Sequence, residues 1–165
     1  SITRIECDPH AVLSELNRQL YPDVKEDGSF ITAFLARLDP RNHVLEYANA
    51  GNWPAYVLDA QGRIRHELRA DGIAVGIFPE LTLRRNEPIR LVPGSLVVLL
   101  TDGIPEAGNE ANGEYGVRRM LAAIRRHRQA PSYEIVRLVR ESIQSFTGHA
   151  EQADDQTLIV LKRAG

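Results

Sequence analysis

Short β-branched and aromatic runs, separated by turn residues, fill the middle of the chain, and this pattern constrains the fold most. The runs cover residues 30–38, 44–50, 55–58, 64–68, 81–85 and 96–101. The turn sequence Asp39-Pro40-Arg41-Asn42 is typical of a hairpin between the first two runs. We therefore predict mostly antiparallel β structure in this region.

Helical patterns lie on both sides of the β region. Asp8 and Pro9 predict the start of a first helix, which we expect Pro22 to end. A second helix is indicated by an apolar stripe at helical spacing: Val117, Met120, Leu121 and Ile124. A third helix is predicted from Ser132 to a stop at Gly148, before an apolar strand at residues 158–161. Strands followed by helices indicate the α+β class, with helices layered on antiparallel sheet.

Composition and charge exclude several classes of protein. The 165 residues are 43% hydrophobic and 25% charged, as in ordinary globular domains, and no internal repeat or linker marks a boundary, so we expect one domain over residues 1–165. The longest apolar run, residues 96–100, is far shorter than a membrane-spanning helix, so we expect no membrane partner. A formal charge of −2 argues against nucleic acid. The single cysteine, Cys7, fits a reducing compartment, and the cytoplasm is the expected location.

Acidic residues lie at the ends of two apolar runs. Asp102 follows the run 96–100, whereas Asp154-Asp155-Gln156-Thr157 leads into the run 158–161. If the two strands are antiparallel neighbours, these residues converge about 5 Å apart; parallel strands would separate them by about 17 Å. Convergence predicts a carboxylate cluster suited to Mg²⁺ or Mn²⁺. The alternative is structural: Asp-Gly forms a common turn, and the Asp pair caps a loop.

The order of several motifs resembles one known family. Read along the chain, they are Phe30-Ile31-Thr32-Ala33, Tyr47-Ala48-Asn49-Ala50-Gly51-Asn52, residues 72–76, Leu91-Val92-Pro93-Gly94, Thr101-Asp102-Gly103-Ile104-Pro105-Glu106, Gly113-Glu114-Tyr115-Gly116 and Asp154-Asp155-Gln156-Thr157-Leu158. This order is similar to that of the stage II sporulation protein E type of bacterial serine phosphatases, in the metal-dependent protein phosphatase 2C-like family. The resemblance covers residues 9–162.

The resemblance implies a fold and a chemistry. The fold is a sandwich of two antiparallel sheets with helices outside. The chemistry is hydrolysis of phosphoserine or phosphothreonine by water that an Mg²⁺ or Mn²⁺ pair activates. By the same resemblance, Asp102 and Asp154 would bind metal, Asp155 would orient the loop, and Thr157 would be a local hydrogen-bond partner. Gly103 would allow the backbone to approach the site closely.

The chain departs from the family pattern in three ways. The family's first metal motif, an Asp in a G-D-x-x-G-H-G type segment, should precede the helix at Pro9, and this chain has no such segment. Two interpretations remain: the segment lies upstream of a cut, which we favour because the chain begins at Ser1, or the protein is a degenerate relative. Where the family usually has A-G-H-N-P, this chain has Ala50-Gly51-Asn52-Trp53-Pro54. Asn52 forms hydrogen bonds but cannot carry the charge of imidazolium. Trp53 replaces a small polar residue, and we expect it to alter the rim of the site.

Three functions are compatible with these features. The first is a protein serine/threonine phosphatase domain in bacterial signalling, whose substrate is a phosphorylated protein such as an anti-sigma-factor antagonist. The second is a non-catalytic module that keeps the fold as a binding surface. The third, a metal-dependent nuclease or other phosphodiesterase, is disfavoured by the near-neutral charge and the motif order.

Two further groups of charged residues have open roles. Glu106 and Glu114 would reach a metal through water or form a solvated flap. The run Arg125-Arg126-His127-Arg128 would contact an acidic or phosphorylated partner or form a solvated helix end.

Overall fold

In the described residues a helix is followed by a run of strands, then by two helices and a final strand, as the sequence predicts. A computed structural model describes residues 8–111 and 113–164, so Cys7 lies outside the described residues. The elements in chain order are α1 (Pro9–Val24), β1 (Ala33–Asp39), β2 (Val44–Ala50), β3 (Ala55–Leu58), β4 (Ile64–Leu68), β5 (Ile89–Arg90), β6 (Leu96–Leu100), α2 (Gly116–Arg126), α3 (Ser132–Thr147) and β7 (Leu158–Lys162). The described residues form two compact units, residues 8–52 with 69–91 and residues 53–68 with 92–164 except 112.

Helix α1 begins where the sequence predicts and ends later. The side chain of Asp8 caps the helix by accepting a hydrogen bond of 3.0 Å from the His10 backbone N–H, and Pro9 occupies the first turn. Pro22 lies inside the helix, which continues to Val24, so the prediction that Pro22 ends it is wrong. A proline in the last turn removes only one backbone N–H from the helix, and the Lys25 N–H still donates to the Tyr21 carbonyl at 3.1 Å.

The first unit contains a three-stranded antiparallel sheet in the order β1-β2-β5. The predicted hairpin is confirmed: Ala33 pairs with Ala50 and Asp39 with Val44, and the Asp39 carboxylate closes the turn by accepting from the Arg41 and Asn42 backbone N–H groups. Helix α1 packs on β1 and β2. The core is formed by buried apolar side chains from the helix, the sheet and a loop: Leu13, Ala48, Ala50, Val75 and Leu81.

The strand predicted at residues 81–85 is wrong, because this segment has no regular structure. Leu81 and Leu83 pack into the first unit's core, which accounts for the alternating pattern. The Arg84 backbone N–H donates to the Asp71 carbonyl at 3.1 Å, and no ladder forms at these residues. Alternation here thus reflects burial of one face without strand pairing.

The second unit contains a four-stranded antiparallel sheet in the order β4-β3-β6-β7. The predicted stripe of α2 is confirmed, and α2 and α3 bury their apolar residues in one core with the sheet. The buried helix residues are Met120, Leu121, Ile124, Ile135, Val139 and Ile143. Full burial of each such side chain stabilises the fold by about 1.5–3 kcal/mol. Gly148 ends α3 with φ at 61°, as predicted.

The α+β class with two antiparallel sheets is therefore confirmed. Among the described residues, every helix is too short or too polar to cross a membrane.

Candidate active site

The two acidic loops of the second unit meet at one edge of its sheet. Strands β6 and β7 are antiparallel neighbours, with Leu96 opposite Lys162 and Leu100 opposite Leu158, so the arrangement needed for convergence is confirmed. The end of β6 therefore lies beside the start of β7. We call the loop segments at this point, residues 101–103 and 154–157, the acidic edge.

Thr101 joins the two loops of the acidic edge. Its backbone N–H donates to the Thr157 carbonyl at 3.2 Å, and its hydroxyl accepts from the Thr157 N–H at 3.0 Å. The same hydroxyl donates to the Asp155 carbonyl at 3.2 Å. The pairing of the two strands thus continues past their ends, into the residues on either side of the carboxylates.

Gly103 lies directly against the opposite loop. A Cβ atom at this position would be 2.4 Å from the Asp155 carbonyl oxygen and 3.4 Å from the Asp154 carbonyl carbon. Real Cβ atoms do not approach backbone atoms so closely, so only glycine fits without displacing one loop. The backbone that carries Asp102 is therefore in contact with the backbone that carries Asp154.

The carboxylates of the acidic edge are exposed and have only local hydrogen bonds. Asp102 Oδ1 accepts from the Gly103 N–H at 3.0 Å, and Asp154 Oδ1 accepts from the Asp155 N–H at 2.7 Å. Asp155 and Thr157 are exposed as well. Each of the two carboxylates keeps a second oxygen for which the described chain offers no hydrogen bond.

These donors fit Mg²⁺ or Mn²⁺ in type but do not form a complete site. Carboxylate oxygens are the ligands that both hard cations prefer. In the described part of the chain, however, no group of three or more His, Cys, Asp or Glu residues is placed to hold a metal ion. Asp102 and Asp154 are therefore candidate ligands that would need partners of another kind, such as water or further protein groups.

A cleft of about 370 Å³ opens beside the acidic edge. Gly103 and Asp154 line it together with three other acids, Glu106, Glu114 and Glu151, and with Arg140. The sequence singled out Glu106 and Glu114 but missed Glu151 and Arg140. An isolated charge on the exposed side of a helix or in a loop has no local pattern, so only the tertiary structure brings these two residues to the cleft.

Trp53 lies at the same edge of the second unit's sheet. It lies two residues before β3, and β3 runs antiparallel to β6, so the start of β3 lies beside the end of β6. The indole is half-buried and packs against the core of this unit. Trp53 is not among the described residues that line the cleft, so its effect on the rim of the site stays a prediction.

Asn52 belongs to the first unit and takes part in a tight turn. Its backbone N–H donates to Asn49 Oδ1 at 2.8 Å, and its carbonyl accepts from Asn49 Nδ2 at 3.1 Å. Asn49 is fully buried, and its own N–H donates to Asp71 Oδ2 at 2.8 Å. Asn86 donates to the other oxygen of Asp71 at 2.6 Å. The sequence analysis missed this network, which fixes the turn that carries Asn52.

Comparison with known proteins places the fold and the family. The PP2C domain of SiaA from Pseudomonas aeruginosa superimposes with a TM-score of 0.79 at 27% identity, over 94% of this chain and 61% of that chain. The manganese-presoaked phosphatase domain of SpoIIE from Bacillus subtilis matches with a TM-score of 0.66 at 19% identity, over 98% of this chain and 68% of that chain. The fold is therefore that of PP2C-type phosphatase domains.

The sequence of the chain also matches a family model over nearly its whole length. The model of the stage II sporulation protein E (SpoIIE) family matches residues 1–164, so the chain belongs to this family. Protein IcfG of Synechocystis sp. (strain ATCC 27184 / PCC 6803 / Kazusa) is 29% identical over 134 residues, 81% of this chain. The chain spans about a fifth of that relative, or 21% of its length.

Proposed function

We propose that residues 1–165 act within a single metal-dependent phosphatase domain that hydrolyses phosphoserine or phosphothreonine of a regulatory protein. The observation that carries the proposal is the contact of Gly103 with the backbone of residues 154 and 155, which brings two loops with exposed carboxylates to one sheet edge. Membership of the SpoIIE family and the likeness to PP2C-type domains support the reaction class.

In this proposal, Asp102 and Asp154 would hold Mn²⁺ or Mg²⁺. When bound, such an ion lowers the pKa of water and offsets the charge of a phosphoryl group. Thr101 and Thr157 keep the two loops at a fixed spacing, and Asp155 orients the second loop through its backbone carbonyl. These residues act by positioning the carboxylates rather than by contacting the substrate.

The cleft beside the acidic edge gives a path for a protein substrate. Its four carboxylates repel a phosphate group unless cations are present, so phosphate binding depends on the metal. Arg140 is the one cationic side chain among the described lining residues. The family resemblance makes a phosphorylated anti-sigma-factor antagonist the substrate we propose, and the reducing environment suited to a lone cysteine makes the cytoplasm the proposed location.

A second candidate is a non-catalytic module of the same fold. It is favoured by the incomplete ligand set in the described residues and by Asn52, which stands where the family usually has His. The two candidates differ in how activity responds when the missing metal-binding segment is supplied. A phosphatase domain should become active, whereas a degenerate site should not.

The deciding experiment compares this chain with a fusion that supplies a G-D-x-x-G-H-G segment ahead of Ser1. For the chain alone we expect weak Mn²⁺ binding by calorimetry and slow hydrolysis of p-nitrophenyl phosphate, because its carboxylates repel each other. For the fusion we expect both to increase. A matched fusion with Asn in place of the supplied Asp is the control. Robust Mn²⁺-dependent turnover by the chain alone would contradict our account of the ligand set, and an inactive, metal-free fusion would favour the module.

A further inference from the structure

An open groove of about 520 Å³ lies between α2 and α3 in the second unit. Its floor is apolar and includes Ala122, Leu138 and Phe146. Its rim carries Arg119, Arg126 and His127, and the described lining residues include no Asp or Glu. We call this feature the α2–α3 groove. It combines an apolar surface with cationic side chains.

Arg119 is held in a fixed position on the rim. Its Nη1 donates to the carbonyls of Glu114 and Tyr115 at 3.0 and 2.8 Å, and its Cζ lies 4.6 Å from the centre of the Phe146 ring. A side chain that is already ordered loses little conformational entropy when it binds a ligand. Within the described chain, neither Arg119 nor Arg126 forms an ion pair with a carboxylate.

The basic character of the groove is local. The whole chain has a formal charge of −2, yet residues 117–130 contain five arginines and no acid. Two of the five serve the fold, because Arg125 donates to the Gly62 carbonyl at 2.8 Å and Arg128 to the Ala60 carbonyl at 3.2 Å. By contrast, Arg137 on α3 is neutralised by two glutamates of its own helix. Arg119 and Arg126 on the groove rim have no such neutralising carboxylate in the described chain.

We propose that the α2–α3 groove binds an acidic amphipathic segment of a partner protein. Apolar side chains of that segment would cover the floor at Ala122, Leu138 and Phe146, and its carboxylates would pair with Arg119 and Arg126. A free phosphate ion would leave the apolar floor uncovered, and an apolar peptide would leave the guanidinium groups without partners. Complementary charge of this kind directs both the choice and the orientation of a partner.

A fluorescent peptide tests this proposal directly. The probe is a labelled amphipathic helix of about four turns, roughly 14 residues, with leucines on one face and glutamates beside them. The control peptide has glutamine in place of glutamate. Fluorescence anisotropy should show that the chain binds the glutamate peptide and not the glutamine peptide, and that added salt weakens the binding.

Two charge reversals on α2 locate the binding surface. Arg126→Glu should weaken binding by about tenfold or more, because it replaces attraction with repulsion on the rim. Arg118→Glu is the matched control: it makes the same charge change on the same helix at an exposed residue outside the groove lining, and binding should change less than about twofold. Circular dichroism of both variants verifies that each one folds.

Four results would overturn the proposal. Equal losses for Arg118→Glu and Arg126→Glu would mean that the helix attracts anions generally. Equal binding of the two peptides would mean that the apolar floor acts alone. Tighter binding of a DNA oligonucleotide or of phosphatidylserine vesicles would identify a different class of partner. Dimers that compete with the peptide in sedimentation experiments would identify a second copy of this chain as the occupant.

Discussion

The two ends of the four-stranded sheet each have an aspartate just beyond a buried strand, yet the two residues have different surroundings. Asp59 follows β3 at one end, and Asp102 follows β6 at the other, because β3 and β6 are antiparallel. Asp59 is buried and accepts three hydrogen bonds, from the backbone N–H groups of Gln61 and Arg63 and from Arg63 Nε. Asp102 is exposed and accepts one, from its neighbour Gly103.

Other groups also bind or pack against the turn at the Asp59 end of the sheet. Arg125 and Arg128 bind carbonyls of its turn, and Gly94 packs against Ala60, where a Cβ would lie 2.7 Å from the Ala60 Cβ. The comparison teaches that position after a strand does not define a functional carboxylate. A carboxylate whose acceptors are all used stabilises a turn, whereas an exposed one with an unused oxygen is available to a ligand.

The largest expected effect is the loss of metal-dependent activity at the acidic edge. Asp102→Asn and Asp154→Asn each remove one charge while keeping size, so Mn²⁺ affinity and phosphate release by the active fusion should fall by about 100-fold or more. The melting temperature in metal-free buffer should stay the same or rise slightly as repulsion is relieved. Calorimetry, phosphate release and thermal melts measure these quantities.

A substitution in the core should have the opposite effects on stability and activity. Ile124 is fully buried on α2, so Ile124→Ala should cost about 2–5 kcal/mol of unfolding free energy while activity per folded molecule is retained. If Asp102→Asn keeps a near-normal rate of phosphate release, Asp102 is a turn residue like Asp59. The proposed difference between the two ends of the sheet would then be wrong.

A smaller effect is expected from Gly103→Ala. The new methyl group would overlap the Asp155 carbonyl, so the loops must separate at a cost of about 1–3 kcal/mol, and Mn²⁺ binding should weaken with it. Gly108→Ala is the matched control, because no atom lies within 4 Å of a Cβ at that position. Chemical denaturation and calorimetry would compare the two variants. Equal effects of both substitutions would show that the contact of Gly103 is not special.

The smallest expected effect is the pH dependence of the stability that Asp59 contributes at the other end of the sheet. Burial raises the pKa of Asp59, but hydrogen bonds from Arg63 and Gln61 outweigh it, and the net pKa is lower than that of an ordinary aspartate. A lowered pKa in the folded state adds stability that is complete above about pH 4, the usual aspartate value, and is lost as the pH falls through the folded value. Wild type should therefore exceed Asp59→Asn in stability at pH 7, and the difference should shrink in acid. A difference that stays constant in denaturation experiments down to about pH 2 would contradict this.

Local sequence patterns were sufficient to predict most of the second unit. The bounds of β3 and β4 match the predicted runs 55–58 and 64–68. The fully apolar, buried β3 gives a strong signal, and Gly62 marks the turn before β4. The antiparallel pairing of β6 and β7, which underlies the candidate site, is one of the two arrangements that the sequence allows. The separation of the Asp102 and Asp154 carboxylates, which we expect within about 6 Å for shared metal binding, stays a prediction.

Other features depend on tertiary contacts that no local pattern encodes. Strand β5 has only two residues and exists because it pairs with β2. The Asn49–Asp71 hydrogen bond joins residues that are distant along the chain. Glu151 and Arg140 line the cleft with Gly103, and both are distant from Gly103 in the sequence. Sequence periodicity reports which side of an element is buried, not which distant group it meets.

The edge position of β7 has a consequence for dynamics. Leu100 and Leu158 pair across a long intervening segment that contains α2 and α3, so this ladder forms only after a large loop has closed. In the described sheet β7 has one neighbouring strand, β6. Fraying of β7 needs less free energy than global unfolding, and it separates the Asp154 loop from the Asp102 loop while β4, β3 and β6 stay paired. Amide hydrogen exchange at residues 158–162 would therefore report how often the candidate site comes apart in an otherwise folded molecule.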